Sequence, residues 1–137
     1  MNKIVLAYNF SAERLQALRL VCMLVKAQLR PVSRAAMLQP IGFLAGVPGV
    51  SPVEGDYAGD EANEEMLVLC GFSRPELDRL LAAIRKGKLQ KVELKAMLTQ
   101  HNVNWSGVAL LKEISEEHQY MTSGAKKTVH EENKPAK

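Results

Sequence analysis

The chain nearly repeats itself, and that limits its folds more than any other feature of the sequence. KIVLAYNFSAERLQAL, beginning at Lys3, lines up with EMLVLCGFSRPELDRL, beginning at Glu65. Phe10-Ser11 falls on Phe72-Ser73, Leu15 on Leu77, Leu18 on Leu80 and Gln28 on Gln90. After a two-residue slip, Val32 meets Val92, and Ala36-Met37-Leu38 meets Ala96-Met97-Leu98. Each copy reads as a short apolar strand, an amphipathic helix and a second short strand. Such a unit leaves an apolar sheet face that it cannot cover alone, whereas two units sharing one sheet can. The expected fold is therefore α/β, with internally duplicated strand–helix–strand units forming one four-stranded sheet. A pseudo-twofold should relate residues 3–38 to 65–98. A helix separates the two strands of each unit, so they should run parallel through a right-handed crossover. A sheet that keeps each parallel pair adjacent is expected, and interleaved strands in a ferredoxin-like α+β sandwich are the alternative.

The most repeated motif, Phe-Ser-x-x-x-Leu, has the form of a helix start. Ser11 and Ser73 stand in N-cap position ahead of apolar residues at helical spacing. Phe10 with Leu15, and Phe72 with Leu77, occupy the two positions of a hydrophobic staple. Glu76 completes a capping box in copy two, which Arg14 cannot do in copy one, and Pro75 falls in the first turn. The first helix should bury Leu15, Leu18, Cys22, Val25 and Leu29, with Val21 and Leu24 broadening that face. The second should bury Leu77, Leu80, Leu81 and Ile84 and end at Gly87 as a C′ residue.

Beyond the shared part the copies diverge. Copy two continues from Thr99 through Asn102-x-Asn104-Trp105 to a capping Ser106 and a third helix with Val108, Leu111 and Ile114 on one face. Copy one reads Ile41-Gly-Phe-Leu-Ala-Gly46 and then dissolves into Gly and Pro. The expected organisation is a single domain over residues 1–120. Within it lie copy one at 3–46, an acidic connector at 47–64 with no basic residue, and copy two at 65–120. Residues 121–137 are polar, Lys-rich and without periodicity, and are expected to be a disordered, dispensable tail. Copy two resembles a bacterial domain family of unknown function. The residues that carry this are Met66–Ser73, Glu76-Leu77, Lys95–Thr99, Asn102-x-Asn104-Trp105 and Glu116-Glu117-His118. The resemblance covers about residues 66–120, with copy one as a degenerate version. It implies no activity, cofactor or catalytic residue.

Composition narrows the function classes. At 137 residues and 47% hydrophobic content, the chain can build a core without disulfide or metal staples. A net charge of +3 falls short of the dense basic patch of a nucleic-acid binder. The one basic stretch, Arg85 to Lys95, lacks interleaved aromatics and reads as a solvated edge around a helix end. Two cysteines, Cys22 and Cys70, lack framework or metal spacing and suit buried thiols in a reducing cytoplasm. No apolar run has membrane-span length, and the short run Ile4–Ala7 lacks the core of a secretory signal. No membrane, nucleic-acid, metal or cofactor partner is expected, and no phosphate-binding Gly loop is present.

The candidate site is the segment that leaves the last strand, with Thr99, His101, Asn102, Asn104 and Trp105. Ligands of open α/β sheets favour the crevice beyond the carboxyl ends of strands. Gly71 and Asn9, also just past strand ends, are expected to face the same region. Turn chemistry and a helix staple account for the same residues without any ligand. Three readings follow. The first is a non-enzymatic binding or assembly module with an unknown protein partner or self-association. The second is a small-ligand binder using the 99–105 loop. The third is a small enzyme with Cys70 or His101 as reactive group, although no catalytic constellation accompanies them.

Overall fold

The computed structural model describes residues 2–122. The expectation of a dispensable tail falls mainly on residues 123–137, outside the described part. The strands are β1 (Ile4–Tyr8), β2 (Gln28–Val32), β3 (Met66–Cys70) and β4 (Leu94–Met97). The helices are α1 (Ala12–Leu24), α2 (Ile41–Leu44), α3 (Arg74–Lys86) and α4 (Gly107–Thr122), with a single 3-10 turn at Ala35–Leu38. One four-stranded sheet has the order β2-β1-β3-β4. β1 and β2 run parallel, as do β3 and β4, while β1 meets β3 antiparallel. Each parallel pair stays adjacent, so the interleaved ferredoxin-like alternative does not occur. The fold is α/β with a mixed sheet.

All residues of β1 and β3 are buried, because both faces of the sheet are covered. Side chains alternate across a strand. Val5, Ala7, Leu67 and Leu69 therefore face Leu18, Val21 and Cys22 of α1 and Leu80 and Ile84 of α3. Ile4, Leu6, Tyr8, Met66 and Val68 face Met37, Ile41 and the α4 residues Val108, Leu111 and Ile114. Each fully buried aliphatic side chain contributes about 1.5–3 kcal/mol. A slip of one residue at the β1–β3 seam would exchange these two faces.

The helix starts follow the capping chemistry. Ser11 Oγ accepts from Arg14 N at 3.2 Å, and Ser73 and Glu76 form a reciprocal capping box. Phe10, Leu15, Phe72 and Leu77 pack on the α1–α3 side of the core.

Several expectations fail in detail. Leu29 lies in β2 rather than on α1, which stops at Leu24 with Val25 as its C-cap. Gly87 is extended (φ −93°, ψ −168°) rather than left-handed. The residue that turns the chain in the left-handed region after α3 is Gln90, with φ 63°. The repeat alignment also breaks after the helices. Ile4 pairs with Gln28 and Met66 with Leu94, so the equivalent of Gln28 is Leu94, not Gln90. Val92 precedes β4, and Ala36-Met37-Leu38 forms the 3-10 turn whereas Ala96-Met97 lies in β4. The cause is the longer connection after α3, Gly87–Glu93, against Val25–Ala27 after α1. After β2, copy one covers the sheet with the 3-10 turn and α2, and no helix or strand follows until β3.

Arg14, which fails to cap α1, holds the units together instead. Its Nε and Nη2 donate to the two carboxylate oxygens of Glu65 at 2.6 and 2.8 Å. Nη1 donates to Leu89 O at 3.1 Å and Nη2 to Lys91 O at 2.8 Å. One guanidinium thus links α1 to the start of β3 and to the α3–β4 connection. Forked, charge-assisted bonds are the strong kind, and an ammonium cannot reproduce the geometry. Arg14→Ala should cost about 1–3 kcal/mol in urea unfolding, and Arg14→Lys should recover less than half of it. A loss below about 0.5 kcal/mol, typical of an ordinary surface change, would show that this clamp does not hold the units.

Candidate functional site

The segment after β4 is built largely on its own backbone. Leu98 N donates to Leu69 O at 2.9 Å, so the pairing with β3 runs one residue past β4. The Thr99 hydroxyl then accepts from the backbone N–H groups of His101 (3.1 Å) and Asn102 (3.2 Å). Asn102 Oδ1 accepts from Thr99 N at 2.9 Å, and its Nδ2 donates to Met97 O at 3.0 Å. Asn102 is 6% exposed. Its amide is engaged in holding the turn. Val103 O and Trp105 O accept from Gly42 N (2.9 Å) and Ile41 N (2.8 Å), which are N–H groups of the first turn of α2. Those amides have no partner inside the helix. The segment therefore ties α2 of the first unit to the second. A Cβ on Gly42 would lie 2.4 Å from Val103 Cγ2, so glycine is what permits this approach.

Outward, the segment presents His101 and Asn104, both exposed. The His101 ring lies 5.2 Å from that of Trp105 in a tilted arrangement, and Trp105 packs on the core behind it. Ser106 Oγ accepts from Ala109 N at 3.1 Å and starts α4 as expected.

The antiparallel seam separates the remaining candidates. Gly71, left-handed at φ 79°, follows β3 at the sheet end from which the 99–105 segment leaves. Asn9 does not join them: Tyr8 pairs with Met66 and Ile4 with Cys70, so Asn9 lies past the opposite end. The placement expected for it assumed that all strand ends point one way, which a mixed sheet does not allow. At that other end Asn9, at φ 66°, donates through Nδ2 to Ala62 O (2.8 Å) and Glu64 O (2.9 Å). Its Oδ1 accepts from Arg34 Nη1 at 2.8 Å. Arg34 also donates to the carbonyls of Gly59, Glu61 and Ala62 and lies over the Tyr57 ring at 5.1 Å. The acidic connector is thus fastened by a cation from outside it. α4 adds Lys112 to Glu61 at 2.8 Å and Ser115 to Glu64 at 2.7 Å.

Cys70 and Cys22 are free and buried, and burial pushes both thiols up to about 11. His118 Nε2 lies 3.0 Å from Glu93 Oε1. Among the described residues no group of three or more His, Cys, Asp or Glu is placed to hold a metal ion. No helix among them is long and apolar enough to cross a membrane.

Sequence reasoning missed one surface. Leu20, Met23 and Leu24 of α1 are 57%, 68% and 76% exposed. Leu20 and Leu24 border a groove of about 550 Å³ between α1 and α3 with largely apolar walls, and Met23 lies on α1 outside that lining. The signal was present: apolar residues encircle α1, so those that cannot fit the core side must face outward. Assigning Leu24 to the buried face hid it.

Residues 65–121, which span β3 to α4, match the model of a family described as Domain of unknown function (DUF3783). No curated protein and no solved structure matches the chain.

Asn102→Ala should cost about 1–3 kcal/mol, because it leaves Thr99 N and Met97 O without partners. His101→Ala should stay within about 0.5 kcal/mol. Equal effects in thermal melting would mean that the buried amide does not hold the turn. The thiols give a separate check. An acid whose folded pKa is raised stays protonated while its unfolded form ionises, so the thiols should disfavour folding as pH climbs from about 9 to about 11. Both should resist a thiol reagent at neutral pH until denaturant is added, and fast labelling of folded protein would contradict their burial.

Proposed function

We propose that this protein is a non-catalytic binding or assembly module whose recognition surface is the outer face of α1 and the groove it shares with α3. The observation that carries this is the exposure of Leu20, Met23 and Leu24 on one helix. The core takes Leu18, Val21 and Cys22 from α1 and does not use the other three. Contiguous exposed apolar surface marks interaction sites on folded proteins. Of the 99–105 segment, His101 and Asn104 are the exposed residues we retain as a ligand-facing second contact. Thr99 and Asn102 are engaged in the turn, Trp105 backs it against the core, and Gly71 gives the chain its left-handed turn.

We place the protein in the cytoplasm on the strength of its two unpaired, buried cysteines. We also read the two units as a duplication. In support, the β1–β3 register maps onto itself when Ile4–Tyr8 and Met66–Cys70 are exchanged, with Leu6 opposite Val68 at its centre.

A photo-crosslinking residue at Met23, in protein expressed in its host cell, tests this. A discrete protein adduct is expected at Met23 and not at Glu116 on α4, and Leu20→Ser with Leu24→Ser should abolish it. No adduct, or the same adduct at both positions, would remove the α1 face from consideration.

A further inference from the structure

The occupant of the groove can be specified further, on the reading that the α1 face is the recognition surface. We propose that the groove receives an amphipathic helix of a partner protein whose apolar stripe is flanked by Asp and Glu.

Backbone chemistry sets the form of the occupant. The groove lies between two helices and the residues that follow them, Val25, Gly87 and Lys88, and helix backbone is bonded within itself except at the ends. It has no free strand edge to pair an extended peptide. A segment buried there must satisfy its own backbone, which a helix does. Ala17, Ala82 and Ala83 line the groove, and their small side chains let a second cylinder approach closely. Leu20 and Leu24, one turn apart on one wall, fit the gaps of an i, i+3, i+4, i+7 stripe.

Charge sets its composition. Arg79, Lys86 and Lys88 also line the groove, and no Asp or Glu does. None of the three is in an ion pair among the described residues. A second copy would bring the same surface to itself across a twofold and set these cations against one another. A helix with carboxylates beside its apolar stripe meets them with opposite charge. Strand addition at a sheet edge is disfavoured by the edges themselves. β2 has Pro31 in place of a donor, and β4 has four residues with Lys95 among them.

The test is selection from a displayed library of helical peptides, with a fixed apolar stripe and randomised flanks, against the folded protein. Enrichment of Asp and Glu at the flanks is expected. A selected peptide should lose at least about tenfold in affinity against Leu20→Ser/Leu24→Ser. Its Lys-flanked version should bind poorly to the wild type and recover on Arg79→Glu/Lys86→Glu/Lys88→Glu. None of the substituted positions belongs to the buried core, and circular dichroism melting confirms that each variant is folded. Absence of binders, or binders indifferent to flank charge, overturns the proposal. So does a dimer in sedimentation that Leu24→Ser dissolves, or binding to phosphatidylglycerol vesicles with the same sensitivity. A Met23 crosslink without acidic preference would leave the face standing and reject only this partner class. Loss of both would reject both.

Discussion

Two short strands, β1 and β3, pair antiparallel in the middle of the sheet, and every side chain on them is buried. A strand buried on both faces needs cover on both, and neither unit supplies enough alone. α1 and α3 close one side together, while α2, the 3-10 turn and α4 close the other. The seam also directs the strand ends. Because the parallel pairs run in opposite senses, the structure has no shared carboxyl edge of the kind that gathers a ligand site in a parallel sheet. Residues that follow equivalent strands, such as Asn9 and Gly71, end up at opposite ends.

Polar ties across the units follow from the same arrangement. Arg14 reaches from α1 to Glu65 and the α3–β4 connection. Arg34 gathers the carbonyls of the acidic connector, with Asn9 completing the cluster. Val103 and Trp105 accept the first amides of α2. In each case a charged or carbonyl group satisfies backbone that regular pairing leaves open, as buried backbone requires. The polar residues that look like a site in the sequence are in good part occupied with this task.

What could be read from the sequence was local. The cap serines and the box at Glu76 depend on residues within one helical turn and form as expected, and the staple residues pack into one side of the core. Ile4–Tyr8 and Met66–Cys70 are apolar throughout, the pattern of strands buried on both faces, but such a run does not tell which elements cover which face. The long-range partners of Arg14 and Arg34 left no local trace. The second strand is misaligned in the sequence because Gln28 and Gln90 stand equally far from their helix ends, whereas β2 begins at Gln28 and β4 only at Leu94. Within the candidate site, the role of Asn102 depends on Met97 O, a contact set by how the strand ends rather than by residue type.

The surfaces differ in how far the fold uses them. The α4 side is overlaid by the connector through Glu61 and Glu64, and the two edges are blunted by Pro31 and Lys95. On the α3 side the helix is cleanly two-faced, with Leu80 and Ile84 inward and Arg79, Arg85 and Lys86 outward. α1 is not. Its inward residues suffice for the core, and nothing in the chain covers Leu20, Met23 and Leu24 among the described residues. Solvent-facing leucines on a helix add nothing to folding that glutamate or lysine would not, since all are good helix formers. Their grouping beside an unpaired cationic rim is therefore a property of the surface and not of the core, and that distinguishes this face from the others formed by the described residues.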